Sequence, residues 1–534
     1  MELGLLLCDA QGQGVGIDAG LLERTPPLQP CSVAPGGEEE RFLLGDPDDL
    51  CNGWGVLWPE GRAELRAHVA DLVAWRQAQI GRSWREAGRP EPPPQVLEFG
   101  LPAGWDVATF VAKQLRVRPT WDQPKFLLIL GDIDGIGVGF QQDLCAYAHV
   151  GRLVFQDKAG YQRYVAKLIA HEKAEALEQS PRLLTWSAWS GEPKGALKAG
   201  EEFLFGPLLQ AAQDPRQDLP FAPKRVIRCG PKTAEKTWER LRALAAEPVP
   251  TVLLSLSHGQ GDAAWSDADK RALQGRLALG DGVMLAPESL GEGVFLPGGV
   301  WFLYACFGGG TPVESVYGRW LRELRDVDPT YRIDAVLRSF SLADPPFVAK
   351  TPQVALGNAL GPLAVFAHID LAFCYAFQAD KGQELRPDGA SAREGVALLR
   401  ELLGLIGGGA RVGRVMSHLH QSLAAIDQAL LAFYGGEDGE LGQERRWARG
   451  LHWMARQDIR AFVLLGDPAA RMRVQPGSGV GRARFDVDAV EQAIFAWFRG
   501  ELREVEGVSP EELERLCERF VEAGRAAIRR EAGG

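Results

Sequence analysis

An α/β fold, a mostly parallel sheet with helices on both faces, is what this sequence predicts, and three observations carry the prediction. The composition is globular, 46% hydrophobic and 24% charged over 534 residues, so a large core can form. From Lys125 onward the chain shows short apolar runs that stop at Gly, Asp, His or Cys. The stretches between them carry helical periodicity, and this alternation is how a parallel sheet with crossover helices is written.

Strands are expected at 126–130, 225–229, 252–256, 301–305, 363–367 and 462–465. Helices are expected near 159–178, 232–246, 314–325, 393–406, 411–433 and 442–457. Residues 1–118, rich in Gly, Pro and Trp, contain one amphipathic helix over about 62–84 and read as a region of unassigned role covering one end of the core. Residues 119–473 form the α/β domain. Residues 474–534 read as a helical cap, with a Gly-rich turn at 477–481 and helices near 487–503 and 509–530.

Charge and cysteine usage exclude several classes of function. The chain carries 70 acidic against 59 basic residues, net charge -11, so nucleic acid is not an expected partner. The first residues lack a basic flank and a long apolar run, and no stretch is long enough to span a membrane, so a cytoplasmic protein without a membrane partner is expected. Eight scattered cysteines with no C-x-x-C pair argue against a disulfide framework or structural zinc. Gly12-x-Gly14-x-Gly16 and Gly135-x-Gly137-x-Gly139 are read as turns, since neither is a G-x-G-x-x-G loop. His418 and His420 stand two apart on a helix and point away from each other. No metal or other cofactor is expected.

The chemistry gathers at strand ends. Leu253 to Leu256 lead through Ser257 to His258-Gly259, and 48 residues after His258 an apolar strand ends in Ala305-Cys306-Phe307-Gly308. A free thiol titrates near pH 8.5, so a reactive thiolate needs a neighbouring imidazole or a positive backbone terminus. Strands about 4.8 Å apart can supply that neighbour. His258 is therefore the candidate general base and Cys306 the candidate nucleophile. Gly259 admits a backbone N–H close to a developing oxyanion, and the Cys306 N–H supplies a second donor. Thr311-Pro312-Val313-Glu314 reads as a capping box that would start a helix just beyond the cysteine. Either residue alone has an ordinary explanation, a surface histidine or a packed thiol; spacing, flanking glycines and strand ends together favour catalysis.

The His-Gly and Ala-Cys-x-Gly pair, with its spacing, resembles the dyad of the caspase-like clan of cysteine peptidases. Leu127 to Asp132 followed by Val150-Gly151-Arg152, then Ala367 to Ala372, and Leu464 to Ala469 are similar to bacterial gingipain-like and CHAT-like members. The likeness covers about 125–473. It implies a caspase-like sheet and an endopeptidase acting on protein substrates. It also implies a pocket for the residue preceding the cut, lined by Arg in enzymes that cut after Asp and by acids in those that cut after Arg or Lys. Asp132, Asp134, Asp143 and Asp370 are the acids offered here, with Arg152 nearby, and cleavage after Arg or Lys is the expectation. Intracellular relatives also suggest a bacterial defence or cell-death role and activation of a precursor by cleavage, by a protease or by a signalling partner. Asp467, in Gly466-Asp467-Pro468, is read as a turn former. The rival reading from another class is a non-catalytic caspase-like interaction module in a signalling assembly; a third is a cysteine-dependent acyltransferase or small-amide hydrolase.

Overall fold

The computed structural model of the chain describes residues 5–17, 19–26, 48–89, 92–174, 180–188, 195–214, 219–229, 234–280, 282–325, 333–340, 345–373, 391–434 and 442–474. The chain divides into two units, Met1–Pro476 and Gly477–Gly534. The second unit, with the two helices expected near 487–503 and 509–530, lies outside the described residues.

Among the described residues ten strands form one sheet: β1 (Trp54–Pro59), β2 (Leu97–Leu101), β3 (Phe126–Leu130), β4 (His149–Leu153), β5 (Arg182–Ser187), β6 (Val226–Cys229), β7 (Thr251–Leu256), β8 (Val300–Tyr304), β9 (Ala364–His368) and β10 (Phe462–Gly466). Their spatial order is β2-β1-β3-β4-β10-β9-β8-β7-β5-β6. The first four are mutually parallel, and so are the last five. Between the two groups β10 runs antiparallel to β9 and meets β4 through a bridge from Leu465 to Arg152. The α/β class with a mostly parallel sheet is thus observed.

The physical reason is burial on both faces. Every residue of β3, β8 and β9 is buried, as their unbroken apolar runs require once helices cover the sheet from either side. Phe302 of β8 stacks on Phe366 of β9 with ring centroids 4.5 Å apart. The helix expected at 62–84 is two pieces, Glu64–His68 and α1 (Ala70–Glu86), broken at Val69. Further helices used below are α2 (Lys158–Lys173) and α3 (Gln443–Arg460). No helix among the described residues is long and apolar enough to cross a membrane.

Two strand pairs fall outside the expected runs. β1 and β2 belong to the stretch read as covering one end of the core, yet β1 lies inside the sheet between β2 and β3. A glycine lets it do so, because a Cβ on Gly55 would sit 2.9 Å from the Leu97 carbonyl oxygen. β4 and β5 are masked in sequence by charged residues that nonetheless are buried. Arg152 of β4 donates to the carbonyls of Gly131, Asp132 and Ile136 and to Gln141 Oε1, so its charge is dispersed over carbonyl oxygens in place of a solvent shell.

Asp467, just past β10, is more than a turn former. Its Oδ1 accepts from Trp54 Nε1 and the Ala469 N–H, while its Oδ2 accepts from Arg76 of α1 at 2.6 Å. Arg76 also reaches Glu172 of α2 at 2.8 Å, and this guanidinium holds the Glu172 carboxyl down to about 2. The cluster ties α1, α2 and the end of β10 together in a buried place. Removing one member strands the others without water, so Arg76→Ala should lower the unfolding free energy by about 3–5 kcal/mol. Urea unfolding followed by circular dichroism measures it, and a loss below about 1 kcal/mol would show that the cluster is solvated.

Candidate active site

β7 and β8 are hydrogen-bonded neighbours in register, with Leu256 opposite Tyr304. His258 and Cys306 each stand two residues beyond that pair, so both leave the sheet at the same level on adjacent strands. The Ser257 N–H donates to the Tyr304 carbonyl at 3.1 Å and extends the ladder to the site. Gly259 then lies directly on the Cys306 backbone: an added Cβ would fall 1.7 Å from the Cys306 carbonyl oxygen. Only glycine fits there, which is a stricter reason than access for an oxyanion.

Cys306 sits in a tight turn. Phe307 has φ 55°, a left-handed conformation that an aromatic residue adopts at a cost of about 1–3 kcal/mol. Its N–H is tied to the Asp370 carbonyl at 2.8 Å and its own carbonyl accepts from the Gly310 N–H at 3.0 Å. The thiol faces the backbone of Ala372, whose N–H donates to Sγ at 3.1 Å, with the Ala372 carbonyl oxygen 3.5 Å away. Cys306 is fully buried, and burial pushes its thiol well above the ordinary range. His258 is 5% exposed, its Nδ1 is buried with no hydrogen-bond partner among the described residues, and burial pulls the imidazole down to about 4. Both members of the pair are therefore neutral in this arrangement.

The neighbouring wall comes from the end of β9, where a polar network fixes the loop that touches the sulfur. Asp458 of α3, fully buried, accepts from Tyr304 Oη at 2.9 Å, Tyr317 Oη at 3.0 Å and the Phe373 N–H at 2.7 Å. The Phe373 N–H is the next donor along from the one on Cys306 Sγ, so Asp458 positions the Ala372 amide. Sequence reasoning missed Asp458; its signal was a carboxylate three and four positions after Ala455 and Met454, on the apolar face of an amphipathic helix. His368 Nδ1 lies 3.1 Å from the Leu371 carbonyl, and burial lowers this imidazole to about 3.

Of the four acids proposed for the substrate pocket, Asp370 adjoins the cysteine loop, its carbonyl accepting from the Phe307 N–H, whereas the other three follow β3 or sit on the helix after it. Asp370 is buried in the β9 loop, with its carboxylate accepting from the Leu371 and Val316 N–H groups. Burial lifts it to about 6. Asp132 and Asp134 follow β3, and β4, β10 and β9 lie between that strand and β8. Asp132 Oδ1 accepts from the Ile133 and Val348 N–H groups, and burial raises its carboxyl. Asp143 lies on the helix Val138–Leu144, 3.5 Å from Arg460, and Asp134 is exposed. On its far side β7 is flanked by β5. Strand order is set by crossover connections, which local sequence does not encode.

The capping box at Thr311 is also corrected. Gly310–Thr311 pairs with Phe347–Val348 as a short antiparallel ladder, and the helix begins at Gly318. No helix N-terminus follows the cysteine loop at once, because the backbone there is taken up by strand pairing.

Two results are expected. An unfolded histidine titrates near 6.5, whereas His258 and His368 are held at about 4 and about 3. Below pH 6.5 the unfolded state binds more protons, so stability is full above that pH and falls as the pH drops towards the folded values. Urea midpoints at pH 7.5, 6 and 4.5 should decline in that order, and His258→Gln should flatten the decline; an unchanged slope would count against a buried neutral His258. Gly259→Ala should destabilise the fold by about 3 kcal/mol or more, read by the same unfolding assay, and a near-neutral outcome would contradict the close approach to Cys306.

No family model matches the chain, and no curated protein matches it. Three solved structures do. One, described as the structure of a protease, is 11% identical, with 79% of each chain covered and a TM-score of 0.44. The second is the Arg-specific cysteine proteinase gingipain R, 12% identical over 79% of each chain, TM-score 0.40. The third is the complex of the pro- and mature domains of Porphyromonas gingivalis RgpB, 12% identical, covering 79% of this chain and 80% of that one, TM-score 0.39. In the path of its chain the protein is similar to these proteases.

Proposed function

We propose that the chain is a cysteine endopeptidase in which His258 is the general base and Cys306 the nucleophile. The observation that carries the reading is the register of β7 and β8, which sets an imidazole and a thiol level with each other at two adjacent strand ends. In the reaction His258 takes the thiol proton and the sulfur adds to the peptide carbonyl. The Gly259 and Cys306 N–H groups bind the oxyanion, the amine leaves with the proton, and water releases the acyl group. The buried surroundings suit the uncharged resting pair and place the cost of forming the ion pair on substrate binding.

Cleavage after Arg or Lys is the narrower form of this proposal. Of the four loop acids, Asp134 offers the exposed carboxylate at the β3 end, while Asp132 and Asp370 brace backbone amides.

A peptide-library digest read by mass spectrometry, run over a long incubation, tests both levels. Cleavage by the wild type should fall about a thousandfold or more in Cys306→Ala and in His258→Ala. The residue before each cut reports the specificity. Cleavage retained in Cys306→Ala, or wild-type protein that reacts at Cys306 yet cuts nothing, would overturn the peptidase reading.

A further inference from the structure

The two amides assigned to the oxyanion are already in use. The Gly259 N–H donates to the Leu6 carbonyl oxygen at 2.9 Å, and the Cys306 N–H donates to the same oxygen at 3.2 Å. One main-chain carbonyl thus occupies the place that the attacked carbonyl of a substrate would take. We propose that the segment Leu5–Cys8 is a resident substrate surrogate that closes the active site, with Leu6 standing where the residue before the scissile bond would lie. This rests on the peptidase reading and adds its regulation.

The rest of the segment is held as a bound peptide is held. The Leu6 N–H donates to the Ala372 carbonyl at 2.8 Å, and Leu5 bridges Phe373 in antiparallel fashion, so the acyl side is a strand added to the β9 loop. Beyond the carbonyl, Leu7 and Cys8 pair with Gly259 and Gln260, and the Gly261 N–H donates to the Cys8 carbonyl at 3.0 Å. The chain then turns and folds back, with the Val15 N–H on the Leu7 carbonyl at 3.0 Å. Main-chain bonds of this kind are independent of side-chain identity, which is the property an extended-peptide track needs.

The sulfur is consistent with a closed site. Cys306 Sγ is engaged by the Ala372 backbone, the same residue that holds the Leu6 N–H, so one loop residue serves both the surrogate and the thiol. Cys306 is 0% exposed and Leu6 is 0% exposed, so no reagent or substrate reaches the sulfur while the segment stays. An intramolecular strand competes at an effective concentration of roughly millimolar or above, which a free peptide at micromolar levels does not match. Activity therefore begins with departure of the segment. A strand that belonged only to the core would differ in one respect: it would remain in place when the thiol reacts.

The full-length chain provides the test. Leu6→Pro removes the N–H given to Ala372. Alkylation of Cys306 by iodoacetamide, followed by peptide mapping, should be at least tenfold faster in this variant than in wild type, with a native circular dichroism spectrum. An unchanged rate in a folded variant overturns the proposal. Where Leu6→Pro does not fold, wild type carries the test: on reaction of Cys306 with a peptidyl chloromethyl ketone, hydrogen exchange over residues 5–8 should lose its protection. Protection kept in the adduct overturns the proposal, and so does a wild type whose Cys306 stays inert until the whole chain is unfolded in urea. Labelling reads access alone: faster labelling without any cleavage of a peptide library would uphold the closure and reject the peptidase, and full library cleavage by wild type with slow, equal labelling of both chains would do the reverse.

Discussion

Everything in the candidate site depends on one register: Leu256 of β7 opposite Tyr304 of β8. Parallel strands joined by hydrogen bonds leave the sheet at matched heights, so a residue placed two beyond one end stands level with the residue placed two beyond the other. A shift by one residue would turn His258 or Cys306 to the opposite face of the sheet. The glycine after the histidine locks the arrangement, since the Cys306 carbonyl fills the space in which any side chain would lie.

The same packing makes the resting site electrically silent. A thiol and an imidazole need polar stabilisation to exist as an ion pair, but here both are desolvated and each is driven towards its neutral form. Backbone groups of Ala372 occupy the sulfur, the Leu6 carbonyl occupies the two amides, and Asp458 holds the loop from which Ala372 projects. On the proposed reading, a site of this kind is shaped for an extended peptide and filled by the chain's own segment.

Legibility followed chemistry that is local. The apolar runs of β3, β7, β8, β9 and β10 were readable because strands buried on both faces carry almost nothing else. β4 and β5 were hidden by Arg152 and Arg182, whose charges are satisfied by partners far away in sequence, carbonyls of the β3 loop for one and Glu247 and Leu244 for the other. Asp467 looked like a turn residue because its sequence neighbours are Gly and Pro; its ion pair with Arg76 joins positions that only the fold brings together. The capping-box pattern at Thr311 lost to strand pairing with Phe347, a case of tertiary contact overriding a local preference. The acids after β3 were offered for the pocket because strand ends of a parallel sheet share one rim; along that rim β4, β10 and β9 come between β3 and β8.

By itself the sequence determined the fold class, the pair His258 and Cys306 at strand ends, and the need for glycine at 259, because burial patterns, strand termini and steric room are written in residues close together. The tertiary structure alone decided the order of the strands, the bracing of Asp132 on the Val348 amide, the place of Asp143 beside Arg460, the role of Asp458, and the seat of Leu6 on the Gly259 and Cys306 amides. Those features join segments far apart in the chain, largely through bonds to main-chain groups, and a backbone amide has no letter in a sequence by which its partner can be read.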